Sequence, residues 1–174
     1  MCSAQGFLKA ALLLGMWCFS SFAYSQDVAN KLIATTEFYK QEASRTSRNE
    51  AFSNAKNVQN LLTQPTAAIY VADSQIKTFG KQPKTIILDL SDVNQLEAAE
   101  ILPNQIELIQ FNIASTEVLN GSALNFQRFD RFKNLKYLHF TLQNEQAVPQ
   151  LRAYLADENH PYTLLYSINP TDKD

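Results

Sequence analysis

The segment 126–140 constrains the fold of this chain more than any other. Its apolar residues are Phe126, Phe129, Phe132, Leu135, Leu138 and Phe140. They recur every three positions, and the step then shortens to two. An α-helix repeats every 3.6 residues and a strand every two, so neither fits the whole segment. The spacing predicts a chain that bends around the outside of a sheet and then enters a strand.

Five short apolar runs predict strands. They are residues 67–71, 85–90, 106–111, 135–140 and 162–166. Their centres lie about 20 to 30 residues apart, which is too far for tight hairpins. The spacing therefore predicts strand–crossover–strand units in a parallel sheet. A short helix after Asp92 and a helix over 148–158, with Pro149 in its first turn, would form two of the crossovers.

The strand pattern resembles that of the leucine-rich repeat family, in particular its short bacterial secreted members. Leu135-x-x-Leu138-x-Phe140 and Ile106-x-x-Ile109-x-Phe111 follow the family's L-x-x-L-x-L pattern. Thr85-x-x-Leu88-x-Leu90 and Thr66-x-x-Ile69-x-Val71 follow it at their last two apolar positions. The resemblance covers roughly residues 50–168. It implies an α/β fold, a short leucine-rich-repeat-like solenoid with a curved parallel sheet of about five strands. Such repeats usually build binding surfaces rather than catalytic sites.

The pattern divides the chain into four parts. Residues 1–25 are expected to be a secretory signal peptide, and 26–64 a helical N-terminal cap over the first layer of the core. Residues 65–168 form the repeat-like domain, and 169–174 a polar tail. Ser47 and Glu50 fit a capping box at the start of a helix within the cap.

The first 25 residues carry the features of an export signal. Lys9 precedes an apolar core over 10–19, and Ala23-Tyr24-Ser25 predicts cleavage after Ser25. A membrane anchor would need about 20 apolar residues, more than this stretch has, and the residues before Cys18 fit a lipid anchor poorly. We therefore expect a secreted or periplasmic protein with no stable membrane span. Cleavage would remove Cys2 and Cys18, the two cysteines.

Composition argues against several classes of function. The formal net charge is −2, and the 15 Lys and Arg residues form no basic cluster, which argues against nucleic acid. Only four glycines occur in the whole chain, so no glycine-rich loop can cradle a phosphate. We expect no cofactor.

Alternating strand residues would line the concave face of a leucine-rich-repeat-like sheet. The expected binding residues are Tyr70, Asp89, Leu108, Gln110, Asn112, Tyr137, His139 and Thr141. The pattern aligns Tyr70, Asp89, Gln110 and His139 in one row across the strands, and Leu108 and Tyr137 in a second. Aromatic anchors on a polar face are common in protein interfaces. The sequence therefore predicts a module that binds a protein or peptide partner on this face, with Tyr137 and His139 exposed.

Catalysis has little support in the sequence. His139 and His160 are the two histidines, and no Gly-x-Ser-x-Gly turn is present. Asp89 and Asp92 lie near a strand end, but an exposed strand position and a helix cap explain them more simply. We expect neither an enzyme nor a metal site.

Two alternatives stay open. One is a compact α/β domain that binds or hydrolyses a small ligand; helices would then cover both faces of its sheet and bury Tyr137 or His139. The other concerns assembly, since an open sheet edge near residues 162–168 would allow a weak homodimer.

Overall fold

The structure is a computed structural model that describes residues 31–44, 48–63, 67–73, 75–98, 101, 103–155 and 160–169. The seven strands are β1 Ile33–Ala34, β2 Ala68–Ala72, β3 Gln75–Phe79, β4 Thr85–Asp89, β5 Leu108–Ile113, β6 Tyr137–Leu142 and β7 Thr163–Ile168. The α-helices are α1 Thr35–Ser44, α2 Arg48–Thr63, α3 Gln95–Ala98 and α4 Val148–Tyr154. Short 3-10 helices cover Leu90–Asp92, Pro103–Gln105, Thr116–Asn120, Phe126–Phe129 and Glu145–Ala147.

The strands form one sheet in the order β1-β7-β6-β5-β4-β2-β3. All neighbours run parallel except β3, which pairs antiparallel with β2. Each of the five predicted apolar runs forms a strand, and those strands are neighbours in chain order. The protein is therefore α/β with a mostly parallel sheet, as the spacing of the runs predicts.

The crossovers from β4 to β7 cover one face of the sheet, here the first face. The strand side chains on this face are buried against the crossovers. Fully buried examples are Ile86, Ile109 and Leu138 of the strands and Leu96 and Leu151 of the crossovers. The phenylalanine series lies in this core, where Phe126 and Phe129 begin and end a 3-10 helix. Because a 3-10 helix has three residues per turn, a period of three places these side chains on one side.

Helices α1 and α2 cover part of the opposite face, here the second face. Phe38 of α1 and Val58 of α2 share a buried cluster with Leu108, Tyr137 and Leu165 of the sheet. The sequence predicts a cap over the first layer of repeats. The N-terminal helices instead lie on the second face of the sheet. This is because β1 joins the sheet edge beside β7, and α1, which follows β1, then packs on strands β5 to β7.

The two sheet edges differ from the prediction. A turn with Asp73 at φ 51° leads β2 into the antiparallel edge strand β3, which was not predicted from the sequence. Asp is among the residues that tolerate this left-handed conformation. At the other edge, β1 pairs with Leu165 and Tyr166, so the middle of the stretch 162–168 is not open as the homodimer expectation assumes.

Several predictions fall on residues outside the described ranges. These are the signal peptide, the Ser47 side of the capping box and residues 170–174 of the polar tail. Within the described ranges, none of the helices has the length and apolar character needed to cross a membrane.

Candidate functional site

The eight predicted binding residues all lie on the second face, in three rows across the strands. The row nearest the amino ends holds Leu108 and Tyr137 with Thr85 and Thr163. The middle row holds Tyr70, Ile87, Gln110, His139 and Leu165. The row at the carboxyl ends holds Asp89, Asn112, Thr141 and Ser167.

Asp89 lies one row away from its predicted place. The leucine-rich-repeat pattern aligns Asp89 with Gln110, but the structure pairs Asp89 with Asn112 and places Ile87 beside Gln110. The buried pair on β4 is Ile86 and Leu88, since Leu90 has already entered the next 3-10 helix. Asp89 therefore belongs to a polar row at the carboxyl edge, where open α/β sheets often bind ligands.

Three of the predicted binding residues are buried, which corrects the expectation that Tyr137 and His139 are exposed. Leu108 is 0% exposed, Tyr137 6% and His139 3%. Phe38 of α1 meets the Tyr137 ring edge to face, with 6.3 Å between the ring centroids. Burial raises the pKa of Tyr137, and the charges of Glu42 and Glu107 raise it further. These residues form a second core, because the N-terminal helices occupy the face that a partner would have to reach.

His139, which is buried, and Ser167, which is half-buried, form a polar pair between β6 and β7. The Nε2 atom of His139 lies 3.1 Å from the Ser167 hydroxyl oxygen, while Nδ1 is buried without a hydrogen-bond partner. Burial lowers the pKa of His139 to about 4. The imidazole is therefore neutral near pH 7 and a weak general base, although its distance to the serine suits a nucleophile–base pair.

The other five predicted residues remain accessible to different degrees. Tyr70 and Asp89 are exposed, and Gln110, Asn112 and Thr141 are half-buried. The Gln110 amide lies within hydrogen-bond distance of the Asn112 side-chain oxygen, at 3.5 Å. The accessible part of the second face therefore runs from β3 across the carboxyl ends of β4 and β5.

An apolar group on the β2–β3 hairpin adds residues that the sequence analysis does not single out. Across the described residues, the exposed large hydrophobic side chains are Tyr70, Ile76 and Phe79, at 39%, 42% and 55%. The Tyr70 and Phe79 rings meet edge to face at 5.4 Å on the second face, and Lys77 pairs with Tyr70 in register. We call Tyr70, Ile76, Lys77 and Phe79 the edge surface. The alternation Ile76-Lys77-Thr78-Phe79 was a signal for a strand with two accessible faces, but it is too short and polar to stand out.

Two clefts open near the carboxyl ends of the parallel strands. One, of about 550 Å³, lies between the end of β7 and the starts of α1 and α4. Its Thr35 hydroxyl donates to the Tyr166 carbonyl at 2.9 Å, and its charged lining residue is Glu145. The other, of about 400 Å³, lies on the crossover side between the end of β4 and the end of α4, with Arg128 in its wall.

The described residues hold no group of three or more His, Cys, Asp or Glu side chains that could bind a metal. In particular, Asp89 and His139 lie in different rows, on strands separated by β5.

Comparison with known proteins gives no relative. No protein-family model, no curated protein and no known structure matches the chain. The resemblance to leucine-rich repeats therefore depends on the quoted strand residues alone.

Proposed function

We propose that this protein is a non-catalytic recognition module that binds an extended segment of a protein partner along β3. One observation carries the proposal. The exposed large hydrophobic side chains of the described residues, Tyr70, Ile76 and Phe79, all belong to one hairpin at the end of the sheet. Its outer strand β3 has a single strand neighbour in the sheet.

An edge strand offers backbone N–H and C=O groups to an added strand, and the neighbouring side chains give the choice of partner. Along β3 all five residues are exposed, so no described part of the chain covers the strand. Phe79 would flank it on the second face and Ile76 on the first, since their side chains alternate. Tyr70, on the neighbouring strand β2, packs against the Phe79 ring, and such paired aromatic residues are frequent energetic anchors of interfaces.

The proposal moves the binding site predicted from sequence to its accessible part. Tyr70, Asp89, Gln110 and Asn112 remain available to a partner that extends from β3 across the second face. Leu108, Tyr137 and His139 support the sheet from within. The chain order of β2, β4, β5, β6 and β7, with crossovers on the first face, supports a leucine-rich-repeat-like arrangement for this part of the chain. Helices on both faces of the sheet and the burial of Tyr137 and His139 agree instead with the compact α/β alternative.

Hydrolysis is the weaker alternative. The Ser167–His139 pair has a suitable distance, but an imidazole with a pKa of about 4 accepts a proton poorly at neutral pH.

The signal-like pattern of residues 1–25 supports export. Amino-terminal sequencing of the protein recovered outside the cytoplasm should begin at Gln26.

Photo-crosslinking in the source cells tests the proposal. A photoreactive phenylalanine analogue replaces Phe79 in the full chain, and the same analogue replaces exposed Glu117 as the control. We expect a defined protein adduct from position 79 that is lost when Tyr70→Ser is added, and no such adduct from position 117. Adducts of equal yield at both positions would contradict the proposal, and adducts between copies of the chain would point to a homodimer.

A further inference from the structure

Arg128 occupies an unusual place among the crossovers. It lies in the 3-10 helix Phe126–Phe129, and its side chain is only 17% exposed. Its Nη1 atom donates to the Asn94 side-chain oxygen at 2.9 Å, and its Nη2 atom is 4.0 Å from a Glu97 oxygen. The Nε atom is buried and has no hydrogen-bond partner.

A neighbouring arginine shows what a structural role looks like in this segment. The Arg131 guanidinium donates to the carbonyl oxygens of Leu96, Glu97 and Ile101, at 3.0, 3.3 and 3.4 Å. Those bonds tie the α3 crossover to the next one. Arg128 makes no comparable set of bonds, and leaving a buried N–H of a charged group without a partner is unfavourable.

The cleft beside Arg128 is lined by polar residues and by the apolar residues Leu90, Val93, Val118, Ala123 and Leu124. Its volume is about 400 Å³, within the range that small-molecule sites occupy. The polar lining residues are Ser91, Asn94, Ser122, Asn125, Arg128 and Tyr154. Leu90 and Ser91 of the lining follow the end of β4 at Asp89, so the cleft lies at the carboxyl edge of the parallel sheet, a common ligand position.

The walls of the cleft are fixed by contacts of their own. The Leu124 N–H donates to the Tyr154 carbonyl at 2.9 Å, which joins the 122–125 loop to the end of α4. The Asn125 side chain accepts from the Gln127 N–H at 3.0 Å and so starts the helix that carries Arg128. A preformed site of this kind loses little entropy when a ligand enters.

A ligand of this cleft meets a guanidinium, several hydroxyl and amide groups, and apolar side chains. An arginine guanidinium pairs best with an oxyanion such as a carboxylate. The nearby Glu97 is 62% exposed and 4.0 Å from Nη2 of Arg128, so solvent weakens its competition for the guanidinium. Serine hydroxyls and asparagine amides suit the hydroxyl groups of a ligand, and the apolar lining residues suit its carbon skeleton.

We propose that this cleft, the Arg128 cleft, binds a small hydroxylated carboxylate of the uronic acid class, with the carboxylate paired to the Arg128 guanidinium. This site is separate from the edge surface and does not depend on the protein-recognition function. It adds a small-molecule activity on the crossover side of the sheet.

The side-chain N–H of Arg128 itself reports binding. In the ¹⁵N-labelled full chain, the Arg128 Nε–H resonance is identified by its loss in Arg128→Lys. We expect D-glucuronate to move this resonance downfield, by a shift that saturates at high ligand concentration. D-glucose, and sodium chloride of equal ionic strength, should leave the resonance in place. Arg128→Lys should weaken binding, followed by backbone amide shifts, by about tenfold or more. Arg152→Lys, a change at an exposed arginine on α4, should leave it unchanged.

A second variant covers the case in which Arg128→Lys fails to fold. Ser122→Asp places a carboxylate at an exposed position of the cleft and leaves Arg128 intact, and we expect it to abolish the shift. Equal shifts with glucose, a shift that does not saturate, or tighter binding of phosphate than of glucuronate would overturn the proposal. So would undiminished binding by a folded Arg128→Lys protein.

Discussion

Phe38 and Tyr137 meet edge to face across the second face of the sheet, 6.3 Å apart between ring centroids. One residue belongs to the first α-helix and the other to the sixth strand, so this contact fastens the N-terminal helices to the sheet. Truncation of a buried phenylalanine removes its packing and leaves a cavity.

Phe38→Ala should therefore lower the free energy of unfolding by about 3 kcal/mol, as buried phenylalanines usually do. Urea unfolding followed by circular dichroism measures the change. Lys40→Ala, at an exposed position of the same helix, should change stability by less than about 0.5 kcal/mol. Equal effects of the two substitutions would mean that α1 does not pack on the sheet.

Acid should destabilise the protein partly through His139. The unfolded imidazole takes up a proton near its ordinary pKa of 6.5, whereas burial keeps the folded one neutral down to about pH 4. Its contribution to stability is full above pH 6.5 and is lost as the pH falls toward 4, by up to about 3 kcal/mol. His139→Gln, which keeps an amide for Ser167, should flatten the decline between pH 7 and pH 4. Urea midpoints of both proteins across this range give the comparison, and parallel curves would speak against a neutral buried imidazole.

Glu107 joins three elements at the amino ends of the strands. Its carboxylate lies 2.6 Å from the Lys84 Nζ atom and 4.0 Å from the Lys136 Nζ atom, and it accepts from the Asn57 amide of α2 at 3.2 Å. Burial alone would raise the pKa of Glu107, but the Lys84 and Asn57 hydrogen bonds and the two lysine charges together hold it below its usual value. Its stabilising contribution is present above the pKa of an unfolded glutamate and is lost as the pH falls through the folded value.

Glu107→Gln should therefore cost about 1 kcal/mol at pH 7, a modest loss because Lys84 is largely exposed. The loss should shrink as the pH falls from 7 to 3, because the wild-type carboxyl itself begins to take up a proton at low pH. Thermal unfolding at both pH values measures it. Glu117→Gln makes the same change of charge on an exposed side chain and should have no such effect; a similar loss there would assign the effect to net charge.

Lys77 stands in the middle of the exposed edge strand β3. A lysine at such a position opposes pairing between copies, because two edges would bring like charges together. Lys77→Val should therefore increase self-association, seen as a rise in sedimentation coefficient with protein concentration. Lys133→Val, which removes an exposed lysine outside the sheet, serves as the control. An unchanged sedimentation profile for Lys77→Val would mean that another feature protects this edge.

The sequence was sufficient to predict the strands in the middle of the sheet, but not the strands at its two edges. Continuous apolar runs such as Ile86–Leu88 mark buried parallel strands whatever surrounds them. β1 has two residues and β3 is mainly polar, so neither carries a local signal strong enough to identify it. The period of three at Phe126 and Phe129 was informative because a 3-10 helix keeps that period.

The candidate site was harder to predict because exposure is not a local property. Tyr137 and His139 alternate along β6 as surface residues would, yet the N-terminal helices bury them from a distance in sequence. The register of β4 was misjudged because Ile86, Leu88 and Leu90 offer two apolar pairs of equal spacing. The pair that lies in the strand is Ile86 and Leu88, because β4 ends before Leu90.

The pairing of β1 with β7 sets the order in which this molecule can be completed. Ile33 lies beside Leu165, and Thr35 donates to the Tyr166 carbonyl 131 positions further along the chain. Contacts between such distant residues close a large loop and therefore form late. Strands β2 to β6 can pair with one another before this loop closes, but α1 reaches its place on the sheet only when β1 joins β7. Until then Tyr137 lacks the cover of α1, and a partly folded chain in that state is most prone to aggregate.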